Sequence, residues 1–338
     1  MDLPSVSVIT PTLNSAATLR DCLESIALQD YPREKLEVII ADGGSGDATA
    51  EIAERFSKEL KIKLVSNRLK TGEAGKAEGL RHASGEVIAL IDSDNILPDK
   101  LWLKGMVMPF QDPGIIACEP LYYTRRQSDG YITRYCALLG MNDPLCLFLG
   151  NYDRYSWLTR KWTEAPVTER ERADYLEISF PSEALPTIGA NGFLIRSGEL
   201  RQCLLRGYLF DIDVMQYLRE RNPELRIAKV KLGIIHIFSG SIFGFAAKQS
   251  RRFCDYAYYR AQGLRKFKWG KSSRRKLLKF AFYTLSGLTV FQAGRGYLHK
   301  RDPAWFFHPL ACLITFGVYG YLSLRNLVFP LQPKRRGN

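Results

Sequence analysis

At 338 residues, 46% hydrophobic content and a formal charge of +13, the chain is long enough for two domains, or for one domain with an appendage, and apolar enough for an ordinary globular core. Its seven cysteines (22, 118, 136, 146, 203, 254 and 312) show neither C-x-x-C nor paired spacing. That excludes a disulfide frame or a zinc site and points to reduced thiols facing the cytosol. No basic start followed by an apolar run precedes Val6, so no secretory signal is expected.

In chain order, Val6-Ser-Val-Ile-Thr10 reads as a short strand running into Pro11-Thr-Leu-Asn14. An amphipathic helix follows from Ser15 (Leu19, Cys22, Leu23, Ile26), with Ser15 or Asn14 as its cap. Leu36 to Ala41 is a second strand, ending in Asp42-Gly-Gly-Ser-Gly-Asp-Ala-Thr49. A helix over about 49–60 and a strand over 62–65 come next. Val87 to Ile91 is five apolar residues, too short for a helix, and reads as a buried parallel strand. Strands alternating with helical patterns mean βαβ units on a parallel sheet.

Asp92 and Asp94 stand at the C-terminal end of that strand. The side-chain period of two puts both carboxylates on one side, where open parallel sheets bind ligands. Two like charges there call for a cation, and hard divalent ions prefer such oxygens. A polar turn is the alternative reading.

Pro11-Thr-Leu-Asn14, the Asp42–Thr49 loop, Lys76 and Asp92-Ser-Asp94 together resemble the nucleotide half of the family 2 glycosyltransferases. The resemblance covers about residues 5–253. It implies an α/β chain of GT-A fold, a Rossmann-like, mostly parallel sheet flanked by helices. It also implies a nucleotide-diphosphate sugar donor, with a UDP-sugar favoured. Asp42 would read the base, Thr12 and Lys76 would contact the nucleotide, and Asp92 would touch the ribose or, through water, the metal. Pro11, Asn14 and Gly44 complete that set, the glycines letting backbone approach closely. Leu13 stands where many members carry an aromatic residue. Asp94 would hold Mg²⁺ or Mn²⁺ against the diphosphate.

Farther on, Gly114 to Cys118 is strand-like and precedes an aromatic-rich insertion read mainly as structural (Tyr122 to Trp162). Val167 to Asp174 reads as a charged, solvated loop or helix. Thr187-Ile-Gly-Ala-Asn-Gly-Phe-Leu-Ile-Arg196 returns to a buried strand with a glycine-rich entry. In the family that segment lies under the acceptor, which makes Asn191 and Gly192 candidate acceptor contacts. Phe210-Asp-Ile-Asp213 resembles the family's acidic pair, with Phe210 where an acid is usual, and implies Asp211 as the catalytic base. Capping of the following helix is the bland alternative for Asp211. His236 ends a strand where the family completes its metal site. Gln249-Ser-Arg-Arg-Phe253 resembles the Q-x-x-R-W signature of membrane-bound polysaccharide synthases, making Gln249 and Arg252 acceptor-side candidates.

Twelve Lys/Arg and one acid, Asp255, lie between Lys248 and Lys279. Such a stripe suits an anionic membrane or a nucleic acid. The apolar sequence after it favours the membrane. Trp305 to Leu324 is 20 residues without Asp, Glu, Lys or Arg, enough at ~1.5 Å per residue to cross a ~30 Å hydrocarbon core. Phe280 to Gly294 is a shorter uncharged run. A membrane-inserting hairpin over 280–338 is expected, with basic flanks (the second at Lys334-Arg-Arg336) placing both ends in the cytosol. Interfacial helices or a soluble lid are the alternatives.

Three segments are therefore expected: a GT-A domain over 1–245, a basic interface segment over 246–279 and the hairpin. The expected activity is metal-dependent inverting transfer to a membrane-presented, lipid-linked saccharide at the cytoplasmic face of the cell membrane, without nucleic acid. A polyprenyl-phosphate acceptor, or a non-catalytic binding subunit, is the alternative.

Overall fold

The computed structural model describes residues 2–267 and 273–332. In chain order the elements are β1 (Val6–Thr12), α1 (Ala16–Ala27), β2 (Leu36–Asp42), α2 (Thr49–Phe56), β3 (Lys61–Ser66), α3 (Gly72–His82), β4 (Val87–Leu90), β5 (Asn95–Ile96) and α4 (Trp102–Val107). Then come β6 (Ile115–Thr124), α5 (Tyr131–Leu139), α6 (Pro144–Leu149), β7 (Thr168–Glu171), β8 (Tyr175–Ser179), β9 (Phe193–Arg196), α7 (Ser197–Arg201), α8 (Asp211–Arg221) and β10 (Arg226–His236). The described chain closes with α9 (Ile242–Ala261), α10 (Ser273–Leu285), α11 (Thr289–His299) and α12 (His308–Val328).

One sheet runs in the order β3-β2-β1-β4-β9-β6-β10-β8-β7, with β5 on β10. The half built from β3, β2, β1 and β4 is parallel, as is β6 with β10. β9 enters antiparallel between β4 and β6. Every residue of β1 is buried, because helices cover both faces. Alternate residues supply the two cores. Val6, Val8, Val38 and Val87 meet α1, α2 and α4 on one face. Ile9, Ile39, Ile88 and Leu90 meet α3, α7 and α8 on the other. The α1 stripe of Leu19, Cys22, Leu23 and Ile26 is fully enclosed, and each leucine or isoleucine contributes about 1.5–3 kcal/mol.

Four expectations change. The carboxylates of Asp92 and Asp94 do not continue a strand, since β4 ends at Leu90 and a turn leads into β5. The charged segment near 170 is neither loop nor helix but the exposed edge strand β7, hairpinned onto β8. α9 begins at Ile242 and runs through the boundary expected at 245/246, burying Phe245 and Gln249 in the domain. Phe280 to Gly294 is not one helix: α10 ends at Leu285, and Gly287 (φ +75°) turns the chain into α11. With 13 and 11 residues, neither helix reaches across a bilayer, which needs about 20. Among the described residues, one helical stretch, Pro303–Val328, is long and apolar enough by length and composition to do so. It packs into a third core with α5, α6 and α9, through Trp305, Ala311 and Cys312 against Tyr135, Phe148 and Phe245. Lys334 to Arg336 lies outside the described residues.

Candidate active site

The C-terminal ends of the parallel strands open onto a cleft of about 720 Å³. Asn14, Asp92, Asp94, Asn191, Asp211, His236 and Arg252 all line it. The structure thus brings together residues spread over more than two hundred positions. All but Arg252, which lies midway along α9, arrive on the end of a strand, on the first turn of a helix or in a turn or loop beside a strand.

Asp42, at the end of β2, stands behind that wall. Its carboxylate accepts from Thr12 Oγ1 (2.8 Å), Ser45 Oγ (2.6 Å), Gly44 N (2.9 Å) and Ser45 N (2.8 Å). Burial works against the charge, but these four donors outweigh it and lower the pKa. Asp42 therefore shapes its own loop, and Gly44 (φ +81°) supplies the left-handed turn. Asn14 pins the same loop by accepting from Gly46 N (2.9 Å). Pro11 lies under α3, where a Cβ on Gly75 would come within 2.7 Å of it.

Lys76 is buried in α3 and points its ammonium at two carboxylates, Asp211 Oδ2 at 2.5 Å and Asp92 Oδ1 at 3.3 Å. Burial would raise the Asp211 pKa, but the adjoining ammonium overrides it and holds the acid ionised. Asp92 and Asp94 diverge from here. Asp94 turns the other way, with Oδ2 3.5 Å from His236 Nε2 and 3.4 Å from Lys248 Nζ.

Asp94 and His236 fit a divalent ion. A carboxylate oxygen and an imidazole nitrogen 3.5 Å apart on one cleft wall can share an ion with bonds of about 2.1 Å, leaving other positions for phosphate oxygens. His236 Nδ1 faces the Asn142 amide at 3.1 Å. A half-turn of that amide presents its oxygen to Nδ1–H and frees the Nε2 lone pair toward Asp94. Among the described residues, no group of three His, Cys, Asp or Glu gathers as a complete metal cage.

The two acids of the Phe210–Asp213 segment are unequal. Asp213 is buried and takes the Arg265 fork (2.7 and 3.0 Å) together with Lys266 N (2.6 Å), which clamps the irregular segment after α9 onto the first turn of α8. Phe210 packs on Tyr259 and under Arg265. Only Asp211 and its neighbours Phe210 and Ile212 face the cleft.

On the opposite side, Asn191 (φ +53°) donates to Tyr123 Oη at 3.0 Å and accepts from Asn95 Nδ2 at 3.0 Å. Gly192 does not reach the cleft. Its place in the wall allows no side chain, since a Cβ would meet Ile234 Cδ1 at 2.7 Å. Beneath this loop lies a buried set of charges. Glu119 binds Arg154 and Lys229 at 2.7 Å each and accepts from Gly189 N at 3.0 Å. Arg154 donates to the carbonyls of Ala190 and Asn191. Burial pushes Lys229 down to about 8 and the cleft-lining Asp153 up to about 6.

Gln249 is fully buried and donates to the Asn142 carbonyl (2.8 Å), so it supports the cleft from behind. Its oxygen accepts from Arg252 Nη1 at 2.8 Å. Lys248, Arg251, Tyr256 and Arg265 join the lining unforeseen, as do Tyr123, Asn142 and Asp153. The i, i+3, i+4 spacing of Lys248, Arg251 and Arg252 carried a signal for one α9 face; nothing local marked Asn142 or Asp153.

The glycosyl transferase family 2 model matches residues 7–179, half of the chain. The glycosyltransferase AglE of Haloferax volcanii is 36% identical over 116 residues, covering 33% of this chain and 38% of AglE. The poly(ribitol-phosphate) β-N-acetylglucosaminyltransferase TarS of Staphylococcus aureus is 36% identical over 93 residues, 27% of this chain and 16% of TarS. The matches thus span well under half of either relative. Among solved structures, the mannosyltransferase PcManGT of Pyrobaculum calidifontis, in complex with GDP-Man and Mn²⁺, superposes with a TM-score of 0.54 at 19% identity, over 97% of this chain and 88% of that one. TarS 1–349 of S. aureus in complex with UDP gives a TM-score of 0.50 at 14% identity, over 99% and 98%. These two likenesses establish the fold as GT-A, and with the family match they show that the chain belongs to glycosyl transferase family 2 and is a glycosyltransferase.

Proposed function

We propose that the protein is a metal-dependent, inverting transferase that moves a sugar from a nucleoside-diphosphate sugar to an acceptor hydroxyl presented at a membrane. One observation carries this reading: Asp94 with His236 on one side, and Asp211 on another, face a single cleft. The GDP-Man and Mn²⁺ bound by PcManGT and the UDP bound by TarS 1–349 support the nucleotide and the metal.

In this reading the loop braced by Asp42, Thr12, Asn14 and Gly44 receives the base and ribose, beside Asp92 and Lys76. Asp94 and His236 would hold Mn²⁺ or Mg²⁺, which would supply positive charge against the departing diphosphate. Arg252, set by Gln249, faces the same charge. Asp211 takes the proton of the acceptor hydroxyl as that oxygen bonds to the anomeric carbon and the diphosphate leaves from the opposite face. Asn191, fixed by Tyr123 and the buried charges beneath it, orients the acceptor. Residues up to the end of α9 carry this chemistry, and the three helices after them carry attachment at the cytoplasmic face.

Asp211→Asn tests the assignment. A positioned carboxylate base contributes roughly 10²–10⁴-fold, so transfer to a hydroxyl acceptor falls by that much while nucleotide affinity stays within a few fold. Unchanged transfer removes Asp211 from the role.

A second reading has one observation in its favour: the ion pair with Lys76 lowers the basicity of Asp211. An acceptor that is already an anion, a polyprenyl phosphate, needs no base. Transfer to such an acceptor that survives Asp211→Asn supports this alternative.

A further inference from the structure

We propose that residues 273–332 form a platform that docks onto the surface of an anionic bilayer, with α12 lying along one leaflet instead of crossing it. This deepens the membrane part of the reading above and rests on it.

The inward stripe of α12 is held by the catalytic domain along most of its length. His308 bonds Tyr135 Oη (2.8 Å), Ala311, Cys312 and Thr315 are enclosed, and Leu322 packs on Cys254 of α9. Tyr319 donates to Asp143 Oδ2 at 2.6 Å, directly behind the cleft. From His308 to Leu322 this seam runs about 21 Å at the helical rise. A crossing helix must meet hydrocarbon over ~30 Å. Were α12 to cross, α9 with Arg251, Arg252 and Asp255 would enter the hydrocarbon with it, where charges are costly. An in-plane orientation avoids this.

The outward stripe is apolar. Phe306, Leu310, Leu313, Tyr321, Leu324 and Val328 recur at helical spacing on one face of the 303–328 stretch, 39% to 70% exposed. Phe282 and Leu285 on α10, with Phe291 and Leu298 on α11, add further exposed apolar side chains. So large an apolar surface marks an interaction site. Charge chooses the occupant. Residues 273–332 carry eight Lys/Arg and a single acid, Asp302, which is buried against Arg125 at 2.9 Å. Anionic headgroups complement this excess of positive charge, whereas a second copy would bring like charges together.

The test floats the full-length protein with vesicles of phosphatidylcholine, alone or with about a third phosphatidylglycerol, alongside the Phe282→Ser/Leu285→Ser variant. The proposal expects flotation with anionic vesicles only, release by salt, and at least about a tenfold loss of binding in the variant with nucleotide-sugar hydrolysis retained. In a Cys203→Ser background, whose other cysteines are buried, Arg301→Cys lies before α12 and Ser323→Cys near its C-terminal end. Both should react with an impermeant maleimide from outside sealed vesicles. Reaction from opposite sides means a span and overturns the proposal. So does a failure to float, including one accompanied by dimers in sedimentation. Flotation without any donor hydrolysis leaves the platform standing and sinks the transferase reading instead.

Discussion

The ammonium of Lys76 lies between two carboxylates, 3.3 Å from Asp92 and 2.5 Å from Asp211, and so joins the turn after β4 to the first turn of α8. Its charge keeps Asp211 ionised although the acid is enclosed. The folded pKa of Asp211 is depressed, so the basic form is present at all pH values above it. The acid limb of kcat/KM assigned to this group therefore lies below the ordinary carboxylate range in the native enzyme. In Lys76→Met, burial is opposed only by the Ile212 N–H and the charge of Arg265, and the limb moves up. A pH–rate profile of both proteins checks this, and a limb that stays in place separates Asp211 from the profile. Lys76, Asp92, Asp94 and Asp211 were legible as residues because each sits in a short motif. Their pairing was not. Asp92 and Asp94 look like one ligand pair in the sequence, yet the turn after β4 sends one to Lys76 and the other to His236.

The segment from Gly189 to Gly192 has no regular structure and owes its position to what lies beneath it. Gly189 (φ +138°) passes so close to α8 that a Cβ would sit 2.2 Å from the Asp211 carbonyl oxygen. The buried Glu119, Arg154 and Lys229 then strap the loop from below. Removing Arg154 leaves Glu119 with Lys229 but takes the counter-ion from the buried Asp153, at a cost of about 3–5 kcal/mol. Arg154→Met is expected to lower unfolding stability by that amount in denaturant titration, and to weaken the acceptor KM more than donor affinity. A change below about 1 kcal/mol means the charges do not strap the loop. The strand and helix order of the first hundred residues was readable, since apolar periods of 2 and 3.6 separate cleanly there. The aromatic insertion was not. Glu119, Arg154 and Lys229 meet across more than a hundred positions, and no local pattern announces a buried ion cluster. The β7–β8 hairpin escaped notice because an exposed edge strand carries no apolar alternation.

At the scale of the molecule, a parallel α/β half forms one side of the cleft, and a mixed half, in which β6 and β10 run parallel, forms the other with α9. Three further helices pack behind. The apolar character of 305–324 was plain in the sequence. What it packs against was not, because α12 is apolar on its inner and outer faces alike and hydropathy cannot tell a domain from a lipid. The proposed reaction turns on Asp94 and His236 holding an ion against the donor diphosphate, across the cleft from Asp211. Calorimetry of UDP and of GDP, with and without Mn²⁺, on the native protein, Asp94→Asn and Asp211→Asn, tests that most directly. One nucleotide should bind more tightly with Mn²⁺, by at least about tenfold or ~1.4 kcal/mol. Asp211→Asn should keep that gain and Asp94→Asn should lose it. An Asp94→Asn protein that responds to Mn²⁺ as the native one does, or a native protein that binds neither nucleotide, contradicts the account.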